Sequence, residues 1–215
     1  MPSLLHLDAS ARRASISREV GEAFATAWRL RHPDGSYTRR DLAADPVPFI
    51  GEAWTELCDH VLEHGITEIG RLPEAVRTPA QADAWKIVEP LLTELVEADT
   101  VLIATPMYNY SVPASLKAWF DQVTFPKMSL AGRRFVVTTA RGGAYGPGAP
   151  KERFDYQERF LRDFFAGHFA VEDVTFVNAE LVNSRLDPGL AHLRAKHDES
   201  YDAALKAAYD LGKEG

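Results

Sequence analysis

The chain has 215 residues, a formal net charge of −7, 46% hydrophobic residues and a single cysteine, Cys58. Those figures suit one globular domain, exclude an internal disulfide or a four-cysteine zinc site, and argue against a general phosphate-backbone binder, so no nucleic-acid partner is expected. No apolar run approaches the ~20 residues of a membrane span and no signal-peptide pattern opens the chain, so a soluble cytoplasmic protein without a membrane partner is expected.

Residues 3–7 read as a short apolar strand. Residues 10–17 are small and polar, with Arg12 and Arg13 among them. Val20, Phe24, Ala27 and Trp28 then recur at helical spacing over residues 18–31, and His32-Pro33-Asp34-Gly35 ends that helix. Residues 37–42 form a charged second strand that suits a sheet edge. Residues 43–78, punctuated by Pro46, Pro48 and Pro73, read as a surface insertion with a helix over 52–64. Thr78-Pro79 caps the next helix, whose apolar face is Trp85, Val88, Leu91, Leu92 and Leu95. Pro90 should kink or restart it. Residues 100–104 and 135–139 are apolar, β-rich runs of the kind buried on both faces of a sheet. A helix follows at 113–123, another at 152–166, a strand at 174–177 and a helix at 187–211 within a C-terminal segment 187–215.

Strands alternating with helices predict a single α/β domain over residues 1–215. The expected architecture is a flavodoxin-like three-layer sandwich. It has a five-stranded parallel sheet of order 2-1-3-4-5 and helices on both faces. Ligands bind such sheets beyond the carboxyl ends of the central strands, so the loops after Leu7, Ala104 and Thr139 should converge.

Each of these loops has an unusual sequence. The first offers Ser10, Ser15 and Ser17 at a helix start, where unpaired amides and the dipole favour an anion. Simple capping by Ser15 is the alternative. No Walker lysine or G-x-G-x-x-G follows the strand. The second loop, Pro106-Met107-Tyr108-Asn109-Tyr110, offers aromatic, thioether and amide groups to a flat aromatic ligand, or simply packs over the sheet end. The third, Ala140-Arg141-Gly142-Gly143, opens a stretch with four glycines in nine residues, which permits close backbone approach to a ligand or marks a mobile loop.

Taken together, D-A-S-(x)4-S-x-S, T-P-M-Y-N-Y-S-V-P-A-S-L-K-A-W-F-D at 105–121 and T-T-A-R-G-G at 138–143 resemble the FMN-dependent NADH-azoreductases and NAD(P)H quinone oxidoreductases. The resemblance covers residues 4–178. It implies an FMN-dependent oxidoreductase that takes hydride from NADH or NADPH through flavin N5. The electrons would pass, in ping-pong fashion, to a planar aromatic acceptor such as a quinone or azo compound. Ser10, Ser15 and Ser17 would hold the FMN phosphate, Pro106 to Tyr110 would cradle the ring, and Ala140, Arg141, Gly142 and Gly143 would meet its pyrimidine edge. A homodimer is implied, and no side chain serves as a catalytic nucleophile. The alternatives are a pathway-specific flavin reductase for a bulky polycyclic substrate and a non-catalytic flavodoxin-like electron carrier.

Two departures stand out. Ala140 replaces the family's serine. Residues 123–132 are also too few for the family's lid over the flavin, so the acceptor pocket must differ. Phe125, Tyr145, Phe165 and Phe169 are candidates for its walls, with core packing as their alternative. Arg12, Arg13 and Arg141 are candidate partners for the nucleotide. His60 and His64 stand at i, i+4 but lack a third placed ligand, so no metal is expected. Cys58 reads as half-buried filler.

Overall fold

The computed structural model describes residues 1–214. Five parallel strands, β1 (Ser3–Asp8), β2 (Ser36–Asp41), β3 (Thr100–Pro106), β4 (Arg134–Ala140) and β5 (Val174–Ala179), lie in the order β2-β1-β3-β4-β5. This is the expected flavodoxin-like order. The helices are α1 (Ile16–Arg31), α2 (Glu52–Glu63), α3 (Pro79–Glu97), α4 (Ala114–Val123), α5 (Tyr156–Phe164) and α6 (Arg194–Lys213).

Strand periodicity divides the core in two. Leu5, Leu7, Val101, Ile103, Phe135 and Val137 face one way and meet α2, α3, α4 and α5. Leu4, Leu102 and Val136 face the other way and meet Val20, Phe24 and Trp28 of α1 and Ala204 and Ala208 of α6. Every residue of β3 is buried, as a strand with both neighbours and both faces covered must be. The polar β2 is only partly covered and forms the edge.

Several boundaries differ from the sequence reading. α3 continues through Pro90, which is exposed; the carbonyl left without a proline N–H partner can turn to water. The helix expected over 152–166 divides into a 3-10 turn, α5 and a π-helical turn, Phe165–Phe169. The terminal helix begins at Arg194, after a 3-10 segment started by Pro188. Within residues 43–78, Leu57, Cys58, Val61, Ile66, Leu72 and Ala75 join the main core, whereas Phe49 stays 81% exposed.

Three aromatic residues expected at an acceptor pocket lie elsewhere. Phe125 is buried between Trp54 and Trp85, with ring centroids 5.6 and 6.0 Å away. Phe165 and Phe169 are fully buried, and Phe165 packs 4.8 Å from Phe135 of β4. Their large apolar surfaces stabilise the core, about 1.5–3 kcal/mol for each fully buried ring. That gain outweighs exposure at a pocket wall, and the expectation is corrected accordingly.

α1 crosses the sheet at Gly21, where a Cβ would stand 2.8 Å from the Ala104 Cβ and 3.2 Å from the His6 Nε2. Gly21→Ala should therefore force α1 off the sheet and destabilise the fold by about 1–3 kcal/mol. A thermal melt should register this as a fall of roughly 2–4 °C per kcal/mol.

Candidate functional site

A cleft of about 650 Å³ opens at the carboxyl ends of β1, β3, β4 and β5. That volume lies within the usual range for small-molecule sites. The three expected loops meet there, joined by the loop after β5.

Ser10 and Ser15 line the cleft. Ser15 is the residue before α1, yet its hydroxyl makes no capping bond. It lies 3.0 Å from the Ser17 hydroxyl instead, so capping does not account for it. Ser17 is fully buried and does not line the cleft; its place is behind Ser15, as a partner for that hydroxyl. The first internal bond of α1 runs from the Glu19 N–H to the Ser15 carbonyl at 3.0 Å. The preceding amides of Ile16, Ser17 and Arg18 have no acceptor within the helix. Free amides, a hydroxyl not used in capping and the positive end of a helix dipole together form an anion cradle.

A charge cluster built on a buried carboxylate holds this loop in shape. The Arg18 guanidinium donates to the Ser10 carbonyl at 2.7 Å and to both oxygens of Asp41 at 2.7 and 2.8 Å. It also lies 3.2 Å from Asp8, which accepts from Arg39 at 2.6 Å. Asp8 is fully buried. Burial pushes its carboxyl up, while the two arginines pull the other way. His6 lies behind it, wholly buried, with Nδ1 2.9 Å from the Tyr37 hydroxyl and Nε2 3.6 Å from Asp8. Burial, helped by Arg39 and Arg18, pushes the His6 imidazole down to about 3, so the ring stays neutral.

The second loop is a tight turn. The Tyr108 N–H donates to the Ser111 carbonyl at 3.0 Å, and the Ser111 N–H returns a bond to Tyr108 at 2.9 Å. Asn109 and Tyr110 between them take φ of 50° and 68°. Left-handed backbone is tolerable for asparagine but costs about 1–2 kcal/mol at a tyrosine. The surroundings enforce it. The Met107 N–H donates to the Ala140 carbonyl at 2.9 Å. The Gln157 amide donates to the Pro106 carbonyl at 2.9 Å. The Tyr110 ring stacks on Phe154 at 5.3 Å. Pro106, Met107, Tyr108, Asn109 and Tyr110 all line the cleft.

From the third loop, Ala140, Gly142 and Tyr145 reach the cleft. A Cβ at Gly142 would meet the Asn183 amide at 2.7 Å, so glycine is needed there for the β4 and β5 loops to close together. Gly143 lies against the Lys151 stem and does not line the cleft. Arg141 is corrected more sharply. It is 1% exposed and bonded to Asp155 at 2.7 Å, Glu158 at 3.2 Å and the Thr139 hydroxyl at 3.1 Å. Its charge is neutralised inside the protein, so it clamps this loop to α5 instead of meeting a ligand. Burial works against the Glu158 carboxylate, but bonds from Arg162 and Asn178 and the charge of Arg141 hold it below the ordinary range.

Sequence reasoning missed Glu19, Lys151, Val182, Asn183, Arg185 and Leu186, all of which line the cleft. The β5 strand ends on the same edge as β4, and that adjacency was the available signal. Arg12, Lys151 and Arg185 bring three cations to the rim, and none has an ion-pair partner among the described residues. The lining acid, Glu19, accepts from the Tyr201 hydroxyl at 2.7 Å. A chain of net charge −7 thus presents a locally cationic cleft.

Residues 2–204 match the model of a family described by its flavodoxin-like fold. A Nocardia farcinica protein named FMN-dependent NADH:quinone oxidoreductase is 69% identical over 214 residues, covering 100% of this chain and 99% of its own. A Parafrankia protein of the same name is 40% identical over 220 residues, covering 98% of each chain. The crystal structure of an azoreductase from Bacillus anthracis superposes with a TM-score of 0.77 over the whole of both chains at 20% identity. An FMN-dependent NADH-azoreductase from the same species, solved with FMN, gives 0.71 at 21% identity and covers 97% of this chain and 100% of its own. These two likenesses bear on the fold alone. No helix among the described residues is long and apolar enough to cross a membrane.

The neutral His6 makes stability pH-dependent. An unfolded chain binds its proton below about pH 6.5, whereas the folded chain resists until about 3. Between those values the unfolded state holds more protons, so stability falls as pH falls. His60, also held low, adds to the same trend. Urea unfolding should show a loss of about 1 kcal/mol from His6 between pH 7 and 5.5. His6→Asn should lose correspondingly less; an unchanged pH dependence would refute the assignment.

Proposed function

The chain belongs to the flavodoxin-like family of FMN-dependent NADH:quinone oxidoreductases, and on that premise we propose that the cleft binds FMN and carries the NADH-dependent reduction of quinones. The observation that carries the reading is the start of α1, where the Ser15 hydroxyl and the first-turn amides lack helix partners beside an aromatic-lined cleft.

The residues present fit the cofactor. Ser10, Ser15 and the amides of residues 16–18 would hold its phosphate, with Ser17 orienting the Ser15 hydroxyl at 3.0 Å. Pro106, Met107, Tyr108, Asn109 and Tyr110 would bear on the flat ring system, and the backbone of Ala140 and Gly142 on its polar edge. Ala140 offers no hydroxyl, so only main-chain groups can serve at that position. FMN held there would supply the redox chemistry between NADH and the acceptor. The protein positions the reactants and shields them from water. The turn at 108–111 is already closed by its own hydrogen bonds, so little reorganisation is needed when the ring arrives. Arg12, Lys151 and Arg185 would meet the phosphates of the nicotinamide nucleotide.

Residues 124–133 form no cover over the cleft. Met128 and Leu130 are buried in the core, and the Leu130 N–H donates to the Phe169 carbonyl at 2.7 Å. None of these residues lines the site. The open cleft suits a broad planar acceptor, a quinone first and azo compounds or larger polycyclic rings by the same geometry. A cytoplasmic homodimer belongs to the same proposal; Leu186, 69% exposed at the cleft rim, gives a partner subunit apolar surface to cover.

The purified protein should be yellow, release FMN on denaturation and lose its visible flavin absorption on adding NADH, with recovery on adding a quinone. Ser15→Asp sets a carboxylate against the phosphate and should weaken FMN binding at least ~100-fold. A colourless wild-type protein that FMN cannot reconstitute would sink the reading. Lys151→Ala and Arg185→Ala should each raise KM for NADH roughly three- to tenfold, with a smaller effect on kcat. Steady-state kinetics that leave KM unmoved would remove these cations from the nucleotide site.

A further inference from the structure

α2 and the residue after it end in His60-Val61-Leu62-Glu63-His64. Spacings of three and four residues bring His60, Glu63 and His64 to one helix face. The third ligand that sequence reading found missing is Glu63: one ligand atom from each of the three residues lies within 4.8 Å of the others. We propose that this cluster is a binding site for a divalent transition-metal ion of the zinc class, held by two imidazoles and one carboxylate with a further position left to water.

Three observations support it. The His64 Nδ1 lies 3.1 Å from the His60 carbonyl. An N–H there donates to that oxygen and leaves the Nε2 lone pair free, which is the usual second hydrogen bond of a metal-binding histidine. The His60 ring is 9% exposed, its Nδ1 is buried without a partner, and it lies 3.8 Å from the His64 ring at 37°. Two charged imidazoles would repel at that separation. The cluster also stands at the carboxyl end of α2, where the helix dipole favours a cation.

The geometry needs little adjustment. Metal bonds of about 2.0–2.2 Å place the ligand atoms of a tetrahedral site roughly 3.3 Å apart. Rotation of the exposed Glu63 and His64 side chains covers the difference. Nitrogen and carboxylate donors without a thiolate select zinc, nickel, cobalt or copper over magnesium or calcium. Cys58 is not part of this cluster and packs into the core instead. None of the three ligands lines the cleft, so the inference does not rest on the flavin reading. A bound ion would join the last turn of α2 to the chain reversal at Gly65, whose φ is +60°. It would thereby stabilise residues 43–78.

The test uses the full chain without an affinity tag, stripped with chelator and titrated with Zn²⁺ at pH 7.5 by calorimetry. One equivalent should bind with a Kd on the order of 10 μM, and the melting temperature should rise with it. Co²⁺ in place of Zn²⁺ should give a visible absorption band. His64→Ala, at an exposed position, should weaken Zn²⁺ binding at least tenfold, and Glu63→Gln several-fold, while each variant alone melts as the metal-free wild type does. Failure of the wild type to saturate below about 1 mM would overturn the site. Equal binding by wild type and His64→Ala would overturn it too, by placing the ion elsewhere. Unchanged binding in Glu63→Gln would overturn the three-ligand assignment.

Discussion

A carboxylate with no access to water stands at the end of β1. Asp8 is fully buried, and two guanidinium groups answer it, Arg39 at 2.6 Å and Arg18 at 3.2 Å. A charge in such a place is tolerable only with close partners, and removing one leaves the other uncompensated. The pairing therefore fixes three elements at once: β1 through Asp8, the edge strand β2 through Arg39, and α1 through Arg18. Arg18 extends the constraint by holding the Ser10 carbonyl at 2.7 Å and Asp41 beyond it. The first loop takes its shape from these bonds, and the start of α1 is left facing the cleft with free donors. The neutral His6 completes the arrangement, because a third cation in that space would have to shed its water as well.

The other two loops are held by different means towards the same end. The turn at 108–111 keeps two residues in left-handed backbone, one of them a tyrosine, against their intrinsic preference. Aromatic stacking on Phe154 and the bonds to Ala140 and Gln157 offset that strain. The third loop is fastened by Arg141, which spends its charge on Asp155 and Glu158. Strain and buried charge at these points are the cost of holding main-chain groups still before a ligand arrives. Recognition then falls to the groups left facing the cleft: serine hydroxyls, unpaired first-turn amides and the rim cations Arg12, Lys151 and Arg185.

Much of this was legible in the sequence. Strand alternation, apolar helix faces, and the caps and breaks at Thr78, Pro33 and Gly35 are local signals, and they placed all five strands; the order followed from the fold class that such alternation suits. The loops bearing Ser10, Ser15 and the segment 106–110 were legible because hydroxyls and aromatics are out of place at the ends of buried strands. Other residues depended on distant partners. Phe125 lies between Trp54 and Trp85, some 71 and 40 positions earlier. Arg141 meets acids 14 and 17 positions later. No local periodicity links the members of such pairs.

The sequence by itself determined the class of the fold, the edge of the sheet where ligands bind and the chemical character of two of its loops. These follow from periodicity and from residue types that have few stable settings. Only the tertiary structure decided which charges face the cleft and which are consumed inside, since a guanidinium reads the same in either place until its neighbours are known. It moved Arg141 to the interior and brought Lys151 and Arg185 to the rim. It turned Phe165 and Phe169 from a pocket wall into core. In each case the deciding quantity is desolvation, which depends on everything packed around a side chain and not on the side chain alone.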